Sequence, residues 1–352
     1  MAKRQIALEG LEMKVLLTGI DGYIGTVLAQ ELQKAGHEVV GLDTGYYRSA
    51  WLYNLPNTKQ PKVITKDVRK VTKEDLVGYD AVVHLAELSN DPLGQNSEEI
   101  TYQINHYGTV NLAKCAKKAG VKRFVYFSSC SVYGASDEIA DETSSTNPLT
   151  AYAKSKVMNE KFLQKLADDS FSPIIFRNAT VYGASPRLRF DLVVNNLAGL
   201  AFTTKKIKMQ SDGTPWRPLV HILDVCQVVN LALKAARKTI HNQIVNVGDT
   251  NSNYQIKDIA EIIAKAFPGC KVSLNKKGAD KRNYRVNFDK IKTIFPDFIC
   301  QYDVAKGASE LHTIFNKVNL TGDDFQSRNF TRLKQIQYLR QTDQIDESYY
   351  WR

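Results

Sequence analysis

Short runs of apolar and β-branched residues alternate with longer helical stretches through the first half of this chain, and that rhythm limits the folds open to it. KVLLTG (Lys14 to Gly19), EVVGLD (Glu38 to Asp43), KVITKD (Lys62 to Asp67), AVVHLA (Ala81 to Ala86) and RFVYFSS (Arg123 to Ser129) read as five strands. GYIGTVLAQELQKAG, closed by Gly36, reads as a helix between the first two, and a second helical segment runs from about Glu98 to Ala119, closed by Gly120. Strand, helix, strand in this order implies parallel neighbours, because a parallel pair needs a crossover connection. The nearly unbroken apolar character of the strands fits a sheet covered on both faces. The expected fold class is therefore α/β, a doubly wound parallel sheet. A further helix carries TAYAKSK onward through Met158, Phe162 and Leu166, and SPIIFRN reads as a sixth strand.

After about Asn178 the loops lengthen, and only VHILDV (Val220 to Val225) and IVNVGD (Ile244 to Asp249) continue the pattern. The rest reads as a smaller C-terminal lobe interleaved with the last strands. A chain of 352 residues has room for two such lobes. We expect 13–177 to form the sheet domain, with 219–249 returning to it, and 178–218 with 250–352 to form the smaller lobe. Residues 1–12, which carry charges but no apolar core like that of a secretory signal, are expected to be an extension outside the fold. The tail from Asp323 to Arg352 looks helical in part, without a legible purpose.

Composition removes several classes of function. No run of 18 apolar residues exists, so no membrane span is expected. The net charge of +10 permits nucleic-acid binding, but the basic clusters are short, scattered and without aromatic interleaving, so no nucleic-acid partner is expected. Five cysteines, odd in number and widely spaced, point to a reducing cytoplasm rather than a disulfide framework. Neither they nor the six histidines show metal-ligand spacing, so no metal is expected.

The first strand ends in TGIDGYIG, which places Gly19, Gly22 and Gly25 on a strand-to-helix turn. The amides and dipole of a helix N-terminus can hold a pyrophosphate, and glycine lets the backbone approach it closely. Eighteen residues after Gly25, Asp43 ends the second strand, where its carboxylate can accept both hydroxyls of an adenosine ribose and repel a 2′-phosphate. NAD is thus favoured over NADP, although the nearby Arg48 leaves the second open. Asp67 and Val68, ending the third strand, are placed to flank an adenine ring. Tyr152 and Lys156 of TAYAKSK share a helix face, so an ammonium can lie near a phenol and favour its ionised form. The fifth strand ends in SSCSVYG, where Ser129 leaves the carboxyl edge of the sheet. A serine hydroxyl that bonds a reacting oxygen while a tyrosinate takes its proton suits hydride exchange between a carbinol and NAD.

With these motifs the sequence resembles the extended short-chain dehydrogenase/reductase family, in its NAD-dependent epimerase/dehydratase branch. The resemblance spans Met13 to about Lys317 and rests on TGIDGYIG, Asp43, HLAELSND from His84, the Asn105-His-Tyr-Gly108-Thr pattern, SSCSVYG, YAKSK, RNATVYG from Arg177 and DGTPWRPLVHILDV from Asp212. It implies a Rossmann-like domain and a catalytic set of Ser129, Tyr152 and Lys156. It also implies cofactor contacts from Gly19, Asp21, Gly22, Tyr23, Ile24, Gly25, Asp43, Asp67, Val68, Leu85, Ala86 and Asn105, besides Tyr152 and Lys156. For a nucleotide-diphospho-sugar substrate it implies contacts from Ser129, Thr180, Asn196, Arg217 and Arg282, the arginines suited to phosphate oxygens. A homodimer, through the helix bearing Tyr152 and the one before it, is a further implication.

The departures bear on reaction type. The family's 4,6-dehydratases carry an Asp-Glu pair directly after the catalytic hydroxyl residue, where this chain has Cys130 and Ser131. Water elimination then lacks its acid and its base. Cys130 is one residue early for the cysteine of fucose-type reductases and epimerases, and we expect it to be packed. Glu87 stands where an alanine is usual, and Thr180 where many relatives have asparagine. The expected activity is epimerisation of the sugar, at C4, through a keto-sugar. The alternatives are a reductase or dehydrogenase that releases its product, and a silent NAD-binding scaffold.

Overall fold

The computed structural model describes residues 12–55, 60–89, 97–209, 211–275 and 283–352. Seven strands form one sheet: β1 (Lys14–Thr18), β2 (Glu38–Asp43), β3 (Lys62–Thr65), β4 (Ala81–His84), β5 (Arg123–Ser129), β6 (Ser172–Asn178) and β7 (Gln243–Val247). Their order across the sheet is β7-β6-β5-β4-β1-β2-β3, and every pair is parallel. The expected α/β, doubly wound parallel sheet is therefore present. Its strand order reverses between β1 and β4, and the crevice outside the carboxyl ends of strands at such a point is where open sheets of this class bind ligands.

The strand pleat explains why the sequence runs look apolar throughout. Val15, Leu17, Val83, Val125, Phe127, Ile174 and Phe176 point into one core, while Leu16, Val82, Phe124, Tyr126 and Ile175 point into the other. Helix α1 (Tyr23–Lys34) covers the first face, and α2 (Gly108–Lys118) and α3 (Ala151–Leu166) cover the second. A π-helical turn, Tyr102–Tyr107, feeds directly into α2. Between β5, α3 and β6 lies a buried ion pair, Arg177 with Glu160, bidentate at 3.1 and 2.7 Å.

Two expectations need correction. VHILDV is not one strand: the strand Trp216–His221 ends at its second residue, and helix α5 begins at Ile222, after α4 (Val193–Thr204). His221 caps α5 by accepting from the Leu223 amide at 3.3 Å, and Ile222, Val225, Cys226, Val228 and Val229 are buried at helical spacing. That short strand pairs with Thr180–Tyr182 and Asn253–Gln255 in a separate three-stranded sheet, so of the returning segment only β7 enters the main sheet. The second correction concerns the tail. The helix Arg332–Gln341 and the residues after it do not belong with the smaller lobe, because they bond to Thr44, Tyr46 and Arg69 beside β2 and β3. The apolar cluster there joins Tyr46, Leu88 and Ile104 to Ile336, Leu339, Ile345 and Tyr349.

The backbone approaches itself closely at the glycine turn. A Cβ on Gly25 would lie 2.1 Å from the Gly19 carbonyl oxygen, and one on Gly19, whose φ is +76°, would lie 2.9 Å from the Ala86 nitrogen. Gly25→Ala must push α1 off β1. We expect a loss of about 1–3 kcal/mol or more in stability, the usual range for overpacking, read as a lower urea midpoint by circular dichroism.

Candidate functional site

A cavity of ≈570 Å³ opens at the carboxyl edge of the sheet, between the main sheet and the smaller lobe. Gly19, Gly22, Tyr23, Ile24 and Gly25 line it from the turn between β1 and α1, and Asp43, Asp67 and Val68 from the ends of β2 and β3. Leu85, Ala86, Ser129, Tyr152 and Lys156 line its middle, and Thr180, Asn196 and Arg217 its far end. The fold thus brings the ends of β1 to β5 together with Arg217, which lies 198 positions after Gly19 in the sequence. Arg282 lies outside the described residues.

Asp21 and Asn105 stand behind the wall. The Asp21 carboxylate meets Arg48 at 2.9 Å and Arg187 at 3.3 Å, and its amide donates to Asp43 Oδ2 at 3.0 Å. Asn105, carried on the π-helical turn, accepts from the Leu88 amide at 2.8 Å and donates to the Leu88 carbonyl at 3.1 Å. It therefore fixes the loop after β4, whose residues form the wall.

Local chemistry explains how the key groups are held. Gly22 is the N-cap of α1, and no side chain caps that helix, so its first turn keeps its positive end toward the cavity. Asp43 accepts from the amides of Asp21 and Gly45, yet burial, followed by the nearby Asp21 charge, pushes its carboxyl up to about 6. Helix α3 is capped by Thr150, which accepts from the Ala153 amide at 3.2 Å and thereby sets Tyr152 in the first turn. Ser129 ends β5 and accepts from the Ser131 amide at 3.1 Å.

Lys156 is buried, with its ammonium 5.4 Å from the centre of the Tyr152 ring. It donates to the Phe127 carbonyl and contacts Glu87 Oε2 at 2.5 Å. The other Glu87 oxygen accepts from the Tyr126 hydroxyl at 2.8 Å, which also accepts from Asn159 at 2.8 Å. Next to this network His84 bridges Thr18 and Thr109 at 2.7 and 2.8 Å, and burial with the Lys156 charge holds its imidazole neutral, down to about 3. Glu87 is a functional neighbour whose unusual identity the sequence exposed, but its partner became visible only in three dimensions. Cys130 is packed as expected: it is 1% exposed, its Sγ donates to the Arg177 carbonyl, and burial pushes its thiol well above the ordinary range.

The model of the NAD dependent epimerase/dehydratase family matches residues 15–248. The chain belongs to that family. Among its relatives, an uncharacterized UDP-glucose epimerase, YtcB, of Bacillus subtilis (strain 168) is 27% identical over 260 residues, covering 71% of this chain and 81% of that protein. The N-acetyl-alpha-D-glucosaminyl-diphospho-ditrans,octacis-undecaprenol 4-epimerase of Escherichia coli O157:H7 is 28% identical over 261 residues, 72% of this chain and 73% of that one. The solved structure of MoeE5 in complex with UDP-glucuronic acid and NAD superposes with a TM-score of 0.74 at 24% identity, covering 86% of this chain and 99% of that one. This member of the epimerase/dehydratase family is accordingly an NAD-dependent enzyme. The residues present fit the dinucleotide: the uncapped start of α1 and the glycine cradle, which a Cβ would fill, suit a diphosphate, and the Asp43 carboxylate suits a ribose.

The Glu87–Lys156 pair is nearly solvent-free, with side chains 3% and 5% exposed. Glu87→Ala leaves a buried ammonium without its counter-charge. We expect a loss of about 3–5 kcal/mol in urea unfolding monitored by fluorescence, with Glu87→Gln losing less because it keeps a bond to Tyr126.

Proposed function

We propose that this enzyme epimerises a nucleotide-diphospho-sugar at C4 by oxidising it to a keto-sugar and reducing that ketone from its other face. The observation that carries the reading is the convergence of Ser129, Tyr152, Lys156 and Arg217 on the cavity that also holds the glycine turn, without an acid after Ser129. Bound NAD supplies a hydride acceptor that returns the same hydride. The protein's part begins with Tyr152, whose phenolate takes the proton of the C4 hydroxyl as the C–H bond breaks. Lys156 stabilises that phenolate electrostatically. Ser129 donates to the same sugar oxygen and keeps it aligned. After the hexose turns over, Tyr152 gives the proton back to the new alkoxide.

Arg217 is 7% exposed at the opposite end of the cavity, where its guanidinium fork suits the substrate diphosphate. A firm grip there, with few polar anchors on the hexose, lets the sugar rotate while the nucleotide stays. Cys130 and Ser131 support epimerisation over dehydration: the first is a buried thiol with a raised pKa, and the second has no titratable proton near neutral pH. Pairing of two copies through α2, its π-helical turn and α3 is supported by Tyr107 and Met158, which stand 56% and 39% exposed on those elements.

Incubation with UDP-, GDP-, CDP- and dTDP-hexoses, followed by NMR of the anomeric and H4 protons, tests the reading. An epimerase interconverts two sugars without lasting absorbance at 340 nm. Stoichiometric NADH, or a released 4-keto-6-deoxy sugar, would refute it. Tyr152→Phe should retain the fold and NAD while losing at least about two orders of magnitude in turnover, the scale of a removed acid-base group. Asp43 gives NAD binding a pH dependence. Its carboxyl stands near 6 in the free protein, and only the carboxylate accepts both ribose hydroxyls, so binding releases a proton below that value. Affinity should rise with pH through 6 and level off above 7, being about tenfold weaker at pH 5. Calorimetric titrations of the wild type and of Asp43→Asn, whose profile should be flat, check this.

A further inference from the structure

The tail, which the sequence left without a purpose, reaches the cavity through one side chain. Arg332 opens the helix Arg332–Gln341, lines the cavity and is only 2% exposed. Its guanidinium stacks on the Tyr47 ring with 4.0 Å to the centroid, and neither Nη1 nor Nη2 has a hydrogen-bond partner. Asp191, whose charge acts on Arg332, is gripped in bidentate fashion by Arg189 at 2.9 Å to each oxygen. Burial and the Arg189 charge together pull the Arg332 guanidinium down to about 10. A buried cation beside a second cation, with unmet donors, is a costly arrangement in a protein interior. Donors of this kind aimed into a cavity are matched by an anionic group with several acceptor oxygens.

The surroundings indicate which anion. Tyr47, on which Arg332 stacks, follows β2, and its carbonyl accepts from Arg187, which in turn meets Asp21 of the glycine turn at 3.3 Å. Gln335, one turn along the same helix, donates to the Tyr46 carbonyl at 2.9 Å. Trp351 donates to the Thr44 carbonyl at 2.6 Å, and Arg69 donates to the Ser348 carbonyl at 2.8 Å. The bonds of this helix and of the residues after it go to the loops that follow β2 and β3, while just before it the Phe330 carbonyl accepts from the Phe190 amide at 2.9 Å. None is to the strands that bear Thr180 or Arg217.

We propose that Arg332 binds the diphosphate of NAD from the side opposite α1, and that the tail anchors this arginine as a clamp on the cofactor. The inference depends on the dinucleotide and holds whichever sugar is turned over. The test uses full-length protein freed of bound dinucleotide, with calorimetric titrations of NAD, ADP-ribose, adenosine and UDP. Arg332→Gln should weaken NAD and ADP-ribose by about 10- to 100-fold, the range for a lost bond to a charged group. Adenosine, which lacks the diphosphate, and UDP should bind as to the wild type. Arg332→Lys should recover part of the loss. The melting temperature of the dinucleotide-free Arg332→Gln protein should hold or rise, since an unpaired buried charge is gone. Unchanged NAD affinity overturns the proposal, as does a loss confined to UDP, which would assign the arginine to the substrate diphosphate. A fall in melting temperature with NAD, adenosine and UDP equally weakened would reduce Arg332 to a structural prop and overturn it too.

Discussion

The contact between Gly25 and the Gly19 carbonyl is the constraint on which the rest of the site depends. With no side chain at either position, α1 can start directly above the end of β1, and the positive end of its dipole opens into the crevice where the strand order reverses. The same closeness seats Gly19 against the backbone of Leu85 and Ala86 beyond β4, so the turn and the neighbouring loop form one continuous wall. Asn105 then fixes that loop through both polar atoms of Leu88, and the π-helical turn is what swings Asn105 into reach. Sheet topology, helix polarity and loop placement therefore converge on a site for a diphosphate and its two flanking riboses.

Charge is distributed around this wall in an unusual way. A lysine that faces a phenol usually acts through an unopposed field, but here Glu87 stands 2.5 Å from the Lys156 ammonium in a nearly dry pocket. Glu87 in turn is held by Tyr126, with Asn159 and Thr109 around it, so the pair belongs to a network rather than being an isolated bridge. The ammonium gains a fixed position from this arrangement. It also shares its field with an anion, which, in the proposed mechanism, places more of the work of favouring the Tyr152 phenolate on the positive ring of the oxidised cofactor. Turnover would then be tied to occupancy of the dinucleotide site.

Much of this was legible in the sequence because it depends on local rules. The six early strands, the helices closed by Gly36 and Gly120, and the glycine turn follow from periodicity and from residues with one conformational use. The set of Ser129, Tyr152 and Lys156 was legible from spacing together with resemblance, and all three line the cavity. Two kinds of feature were not. VHILDV looked like a strand because a short apolar run has no period of its own, and the cap that His221 provides to α5 appears only once the chain is folded. Glu87 and Arg332 were invisible as partners or donors because their neighbours, Lys156 and Tyr47, lie 69 and 285 positions away.

The proposed chemistry gives the tail a use. In an epimerisation of the kind proposed, a hydride that leaves a carbon and returns to that same carbon requires a cofactor that stays put while the sugar turns, so the dinucleotide has to be held more tightly than any single step needs. Backbone amides at a glycine turn hold phosphate oxygens from one side only, so a contact from another direction adds to the grip. Arg69 links the loops after β2 and β3 to the tail through Asp67 and Ser348, and Tyr46 does so through Tyr349. On the proposed reading, a tail fastened to Thr44, Tyr46 and Arg69, with Arg332 in the cavity wall, adds retention at the dinucleotide and leaves rotation to the sugar.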